Sequence, residues 1–127
     1  FLFYLLFITL YAKKILSFRD IIVIIGLSCF VLLFSYPAML SYDIFNYITT
    51  AKVTFFYHEN PYIIMPIEFV GDPNLAFTHA ANKIALYAPG WILLTAFPHF
   101  LGVGNIILSV VSFKLLALLF YLLTILF

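Results

Sequence analysis

The chain has 127 residues, of which 66% are hydrophobic, 20% aromatic and only 9% charged. That balance is too apolar for a water-soluble domain of this size and points to an integral membrane protein. A formal net charge of +1 gives no basis for a nucleic-acid partner, and the single cysteine, Cys29, excludes an internal disulfide.

The first apolar segment, Phe1 to Ala12, is too short to span a bilayer and lacks the basic leader and small-residue cleavage site of a secretory signal. It reads as the end of a truncated transmembrane helix. The chain starts at Phe1 without a methionine and stops at Phe127 inside an apolar run, so it is expected to be a piece of a longer polypeptide. Lys13, Lys14 and Arg19 then form a basic connection of the kind retained on the cytoplasmic side. The run Ile21 to Leu40 follows, with no ionisable group except the Cys29 thiol. At about 1.5 Å per residue it covers roughly the 30 Å hydrocarbon core, and with the basic connection inside it runs outward.

Residues 41–90 are therefore expected outside the membrane or in its head-group layer, and four of the five acids (Asp43, Glu59, Glu68 and Asp72) fall there. Ile44, Tyr47, Ile48, Ala51 and Phe55 recur at helical spacing, with Asp43, Asn46 and Thr50 on another face. This predicts an amphipathic helix in the interface, ending before Asn60-Pro61 because proline disfavours helix in the residue before it. Asp72-Pro73 offers a cap followed by proline at the first helical position, which predicts a second short helix running to about Leu86. Tyr87-Ala88-Pro89-Gly90 breaks it. Trp91 to Leu101 is a short apolar helix interrupted by Pro98 and His99, which either crosses the membrane or dips in and returns, crossing being the favoured expectation. After the turn Gly102-Val103-Gly104-Asn105, the segment 106–127 is long enough to span and carries Lys114 near its middle.

The predicted fold is thus all-α and polytopic, a single transmembrane domain over 1–127. It consists of a truncated helix at 1–12, a transmembrane helix at 21–40, an extracytoplasmic loop at 41–90 with juxtamembrane helices, a short apolar helix at 91–101 and a transmembrane helix at 106–127.

Asp43 follows the end of the first full span by three residues, where a carboxylate meets both water and lipid head groups. Read from the residues alone, it is explained first as a charge stabilised by water and the dipole in the first turn of a helix. His58, Glu59, Glu68, Asp72 and His79 have the donor types for a divalent cation, but their spacings match no regular metal motif, and no metal ligand is assigned. Lys52, Lys83, His58 and His79 are candidates for holding a phosphate, or alternatively anionic lipid. Tyr36, Tyr42, Tyr47, Tyr57, Tyr62 and Tyr87 flank the membrane boundaries, where aromatic belts occur, and Tyr47 is also a candidate substrate contact. No glycine-rich phosphate loop, CxxC pair or HExxH is present. A transporter or flippase fragment, with Asp43 and Lys114 as coupling charges, and a non-catalytic assembly subunit are the alternative functions.

The segment SYDIFNYITTAKVTFFYHENPY, followed by LYAPGW and an apolar stretch with Lys114, resembles the integral membrane glycosyltransferases of the GT-C superfamily, above all the polyprenyl-phosphate-dependent mannosyltransferase-like members. There a transmembrane helix ends in Asp-x-aromatic-x-Tyr, here Asp43, Phe45 and Tyr47. The outer loop continues to Asn-Pro-Tyr, here Asn60, Pro61 and Tyr62, and closes in a Tyr-Gly-Pro-like turn, here Tyr87-Ala88-Pro89 with alanine in place of glycine. The resemblance implies an inverting transfer of a mannose-like hexose from a polyprenyl-phosphate donor to a hydroxyl of a glycan or lipid acceptor. It also implies Asp43 as general base, a bacterial-type plasma membrane and an extracytoplasmic active site. One carboxylate suffices, because a phosphate leaves as a weak base and needs no acid to protonate it. Asn60, Pro61, Tyr62, Tyr87 and Pro89 are assigned to shaping the loop. No organic cofactor is implied, and a divalent cation is left open.

Overall fold

A computed structural model of the chain describes residues 2–35 and 42–126. The described residues are mostly helical, with no strand among them, and they fall into two compact units, Phe1–Phe34 and Ser35–Phe127.

The first unit holds helix α1 (Leu2–Ala12) and helix α2 (Phe18–Phe34). Lys14 takes a left-handed φ of 55° in the turn between them. The start of α2 is fixed by a reciprocal pair. Asp20 Oδ2 accepts from the Ser17 amide and hydroxyl, both at 2.8 Å, and the Asp20 amide donates to Ser17 Oγ at 3.3 Å, so two donors that would be orphaned at the helix entrance are satisfied. The expected span to Leu40 is described as helix only to Phe34. Residues 36–41, which include Tyr36, the predicted end of that span and Ser41, lie outside the described residues.

The second unit is built around helix α3 (Asp43–Phe55), with α4 (Pro89–Leu94), α5 (Ala96–Gly102) and α6 (Ile106–Leu126) packed about it. Ile48, Ala51 and Val53 of α3 are buried with Ile92, Phe113 and Leu116, and Ala51 has no exposed surface. Asn46, Thr49 and Thr50 are buried as well, a departure from the predicted helix with a wet polar face. The returning loop covers that face and offers it partners. Asn46 Oδ1 accepts the Ala80 amide at 3.2 Å, while Thr49 donates back to the Phe45 and Asn46 carbonyls.

The second predicted loop helix is replaced by a short 3-10 segment, Pro73–Phe77. Its start is as expected: Asp72 caps it by accepting the Asn74 amide at 2.9 Å, and Pro73 follows. Its extension fails because the groups it needs are engaged elsewhere. The Thr78 hydroxyl donates to the Asn74 carbonyl and the Ala80 amide to Asn46 Oδ1, so one local side-chain bond and one tertiary bond stand in place of further helical turns. A second 3-10 turn occupies Pro66–Glu68, with Glu68 accepting the Met65 amide at 2.8 Å.

Trp91 to Leu101, expected as one helix that crosses, is divided between α4 and α5 at Thr95. Pro98 has no amide proton for the Leu94 carbonyl and its ring crowds that oxygen, which breaks the ladder there. Thr95 seals the junction, 2% exposed and donating to the Ile92 carbonyl at 2.6 Å. From Pro89 to Gly102 the two helices rise only about 21 Å together, short of a hydrocarbon core. The chain then reverses through Val103 (φ 47°) and Gly104 (φ 73°), and Asn105 caps α6 by accepting the Ile107 and Leu108 amides. α5 lies close on α6 because Gly102 has no side chain: a Cβ there would sit 3.0 Å from Ser109 Cα. Among the described residues one helix is long and apolar enough to cross a membrane, Ile106–Ile125 in α6, with a mean hydropathy of 2.5.

Candidate functional site

Asp43 opens α3, in its first turn, with its side chain exposed. Asn46, one turn further along, donates its amide to Asp43 Oδ1 at 3.3 Å and contacts the Tyr87 hydroxyl. The next turn brings Tyr47 against Tyr87, with ring centroids 4.8 Å apart, and against Trp91 at 5.2 Å, both edge to face. Burial first, and then the negative charge of Asp43, raise the Tyr47 hydroxyl above the usual tyrosine range. Tyr87 is raised by the same burial and by the charges of Tyr47 and Asp43, against the opposing bond from Asn46. Both phenols are therefore neutral hydrogen-bonding groups at physiological pH.

The loop segment 79–83 lies along this end of α3. His79 stacks on Tyr42, centroids 4.3 Å apart and planes 12° apart, beside Asp43 in the chain. Lys83, exposed, lines a water-sized recess of about 20 Å³ together with Asn46, Thr50 and Tyr87. Asp43, Tyr47, His79, Lys83 and Tyr87 are thus gathered about the first two turns of α3.

Lys52 and His58 belong to the other end. Lys52 is nine residues along α3 from Asp43, roughly 14 Å of helix rise. It forms an ion pair with Asp72 at 2.8 Å, the two side chains 14% and 5% exposed. Asp72 also accepts the Tyr57 hydroxyl at 2.8 Å. Burial by itself would raise the Asp72 carboxyl. The bonds from Lys52, the Asn74 amide and Tyr57, with the Lys52 charge, outweigh it and hold the group below its ordinary range. His58, exposed, adopts φ 58° just beyond the end of α3, where the chain turns left-handed.

The Asn60-Pro61-Tyr62 and Tyr87-Ala88-Pro89 segments meet. The Asn60 side chain accepts the Tyr62 amide at 3.0 Å, an Asx turn. Tyr62 reaches the Tyr87 carbonyl at 2.7 Å, the Pro61 carbonyl accepts the Ala85 amide at 2.7 Å, and Pro89 occupies the first position of α4. Lys114, half-buried in α6, donates its ammonium to the Ser35 carbonyl.

Among the described residues no group of three histidine, cysteine, aspartate or glutamate side chains is arranged to hold a metal ion. Sequence reasoning put Asn46 on a solvated face and passed over its role between Asp43, Ala80 and Tyr87. Its spacing of three from Asp43 was the available signal. The Lys52–Asp72 pair, twenty residues apart, has no local signature. Trp91 was read as the end of the LYAPGW motif and the start of an apolar stretch and given no role of its own, yet its indole Nε1 is buried without a hydrogen-bond partner against the Tyr47 ring. No protein family, curated protein or solved structure matches this chain.

Proposed function

We propose that this chain is the catalytic part of a polytopic membrane glycosyltransferase, one that transfers a hexose from a polyprenyl-phosphate donor to an acceptor hydroxyl on the extracytoplasmic side. Ile21 to Leu40 and α6 are its membrane-crossing segments, and the basic group Lys13, Lys14 and Arg19 orients it. Asp43 is the general base.

The observation that carries this reading is the exposed Asp43 carboxylate at the rim of α3, held by Asn46 and backed by Tyr47 and Tyr87, with His79 and Lys83 on the segment alongside. An acceptor hydroxyl within hydrogen-bond reach of that carboxylate gives up its proton as its oxygen attacks the anomeric carbon. The bond from that carbon to the phosphate oxygen breaks in the same displacement, so the configuration inverts. The departing phosphate carries its negative charge away unprotonated, and Lys83 and His79 supply cationic or donor groups on the side where it leaves. Tyr47 and Tyr87, neutral and edge to face, offer an amphipathic wall for the sugar.

The reading is tested with the full-length polypeptide in vesicles, given a polyprenyl-phosphate hexose labelled in the sugar. Label moving into a glycan or lipid acceptor, with polyprenyl phosphate released one for one, is the expected result. Label that crosses the vesicle membrane still attached to its lipid would overturn it in favour of transport.

A further inference from the structure

A second concavity lies at the opposite end of α3 from Asp43. It has a volume of about 480 Å³, within the range of about 300–1,000 Å³ that small-molecule sites occupy. Its walls are aromatic: Phe55 of α3, Phe56 just beyond it and Phe100 of α5, the last two 60% and 65% exposed. Its polar lining is Asn74, His99 and the Lys52 ammonium.

Two of these polar groups lack partners. Asn74 is 5% exposed, and among the described residues its carboxamide makes no hydrogen bond. Its bonds are all through the backbone. The His99 imidazole is likewise without a hydrogen bond, set between the rings of Phe55 at 5.8 Å and Phe100 at 5.3 Å. Neither group is sealed from solvent, and both line the concavity, so their unused donors and acceptors are open to a ligand that pairs both.

The chemistry of that ligand follows by elimination. An anion gains little, because the Lys52 charge is already matched by Asp72 at 2.8 Å, and burial together with the Lys52 charge holds the His99 imidazole below its usual range, hence neutral. A purely apolar chain would bury Asn74 and His99 still unpaired. A neutral ligand with several hydroxyls and flat C–H faces satisfies every wall at once. Carboxamide and neutral imidazole each both donate and accept, as hydroxyls do, and phenylalanine rings cover the apolar faces of a pyranose.

We propose that this concavity is a binding site for a neutral glycosyl unit, held by Asn74 and His99 and stacked on Phe100 and Phe55. Lying about 14 Å along α3 from Asp43, it is separate from the point of bond-breaking. The inference stands independently of the transfer reaction proposed for Asp43.

The test uses the whole chain in lipid nanodiscs free of sugar-based detergent, with methyl α-mannopyranoside and methyl β-glucopyranoside as probes in saturation-transfer NMR. Transfer to the ring protons of at least one glycoside is expected, undiminished by equimolar inorganic phosphate or farnesol. His99→Ala and Phe100→Ala should each weaken it about tenfold or more. Because Phe100 is 65% exposed, its truncation leaves the fold in place, and equal thermal melting of variant and parent checks this. No saturation transfer from the parent, transfer unchanged in both variants, or displacement by phosphate or farnesol would each overturn the proposal. None of these results depends on glycosyl transfer, so a failure here is distinguishable from a failure of the Asp43 assignment.

Discussion

The hydroxyl of Tyr62 donates to the backbone carbonyl of Tyr87 at 2.7 Å, tying together two turns that lie 25 residues apart in the chain. The neighbouring bond from the Ala85 amide to the Pro61 carbonyl makes this a two-point clasp. It closes the base of the loop, and so sets where Tyr87 stands relative to Tyr47 and Asn46. Tyr62→Phe removes one of the two points and keeps the ring. The expected cost is about 1 kcal/mol of stability, read by thermal denaturation. Transfer activity should fall more than the melting temperature suggests, because the clasp positions Tyr87.

Asn46 holds two groups through one side chain, the Asp43 carboxylate and the Ala80 amide, beside the Tyr87 hydroxyl. Asn46→Ala leaves the Ala80 amide short of a partner, for an expected loss of about 1–3 kcal/mol. Hydrogen exchange should report it as faster opening of segment 79–83, with α5 and α6 unaffected.

The Lys52–Asp72 pair predicts a pH dependence with a definite sign. The Asp72 carboxyl is lowered in the folded state, so its contribution is complete above the ordinary aspartate range, near pH 4. It is lost progressively as pH falls through that range toward the lower folded value. Thermal stability should therefore hold level from pH 7 to about 5 and decline below about 4, and Asp72→Asn should flatten that decline. Asp72→Ala also strands Lys52, which is 14% exposed, and should cost about 3 kcal/mol at pH 7.

Gly102 is where α5 and α6 come closest. A side chain there meets the backbone of Ser109, which cannot rotate away as a flexible side chain would. Gly102→Val is expected to cost about 1–3 kcal/mol or more through forced separation of the two helices, measured by denaturation in detergent. Gly104→Ala meets no neighbour, but its φ of 73° makes it unfavourable by about 1 kcal/mol.

What could be read from the chain before its structure was known follows the range of the interactions. The Asp72-Pro73 cap and the Asn105 entry to α6 are short-range, written in the capping residue and its near neighbours, whereas α3 begins at Asp43 without a side-chain cap. The extent of the helix after Asp72 was not legible, because Thr78 and Ala80 are diverted by bonds one of which comes from Asn46, 34 residues away. For the same reason the polar stripe of α3 looked like a solvated face, although Asn46 and Thr50 are buried under the loop. Of the candidate site residues, Asp43 stands out by its place just after a long apolar run, while Tyr47 and Tyr87 were marked by the resemblance to membrane glycosyltransferases. The division of Lys83 and His79 from Lys52 and His58 depends on how residues 56–87 fold back, which no periodicity encodes.

The measurement that bears most directly on the central claim is turnover by the full-length protein carrying Asp43→Asn, assayed with a polyprenyl-phosphate hexose and its acceptor. The exposed side chain can lose its charge without loss of packing, so membrane insertion and melting should match the parent. Transfer should fall by about 10²-fold or more, with donor still bound. Turnover equal to the parent's in a correctly inserted Asp43→Asn protein would contradict the assignment of the base.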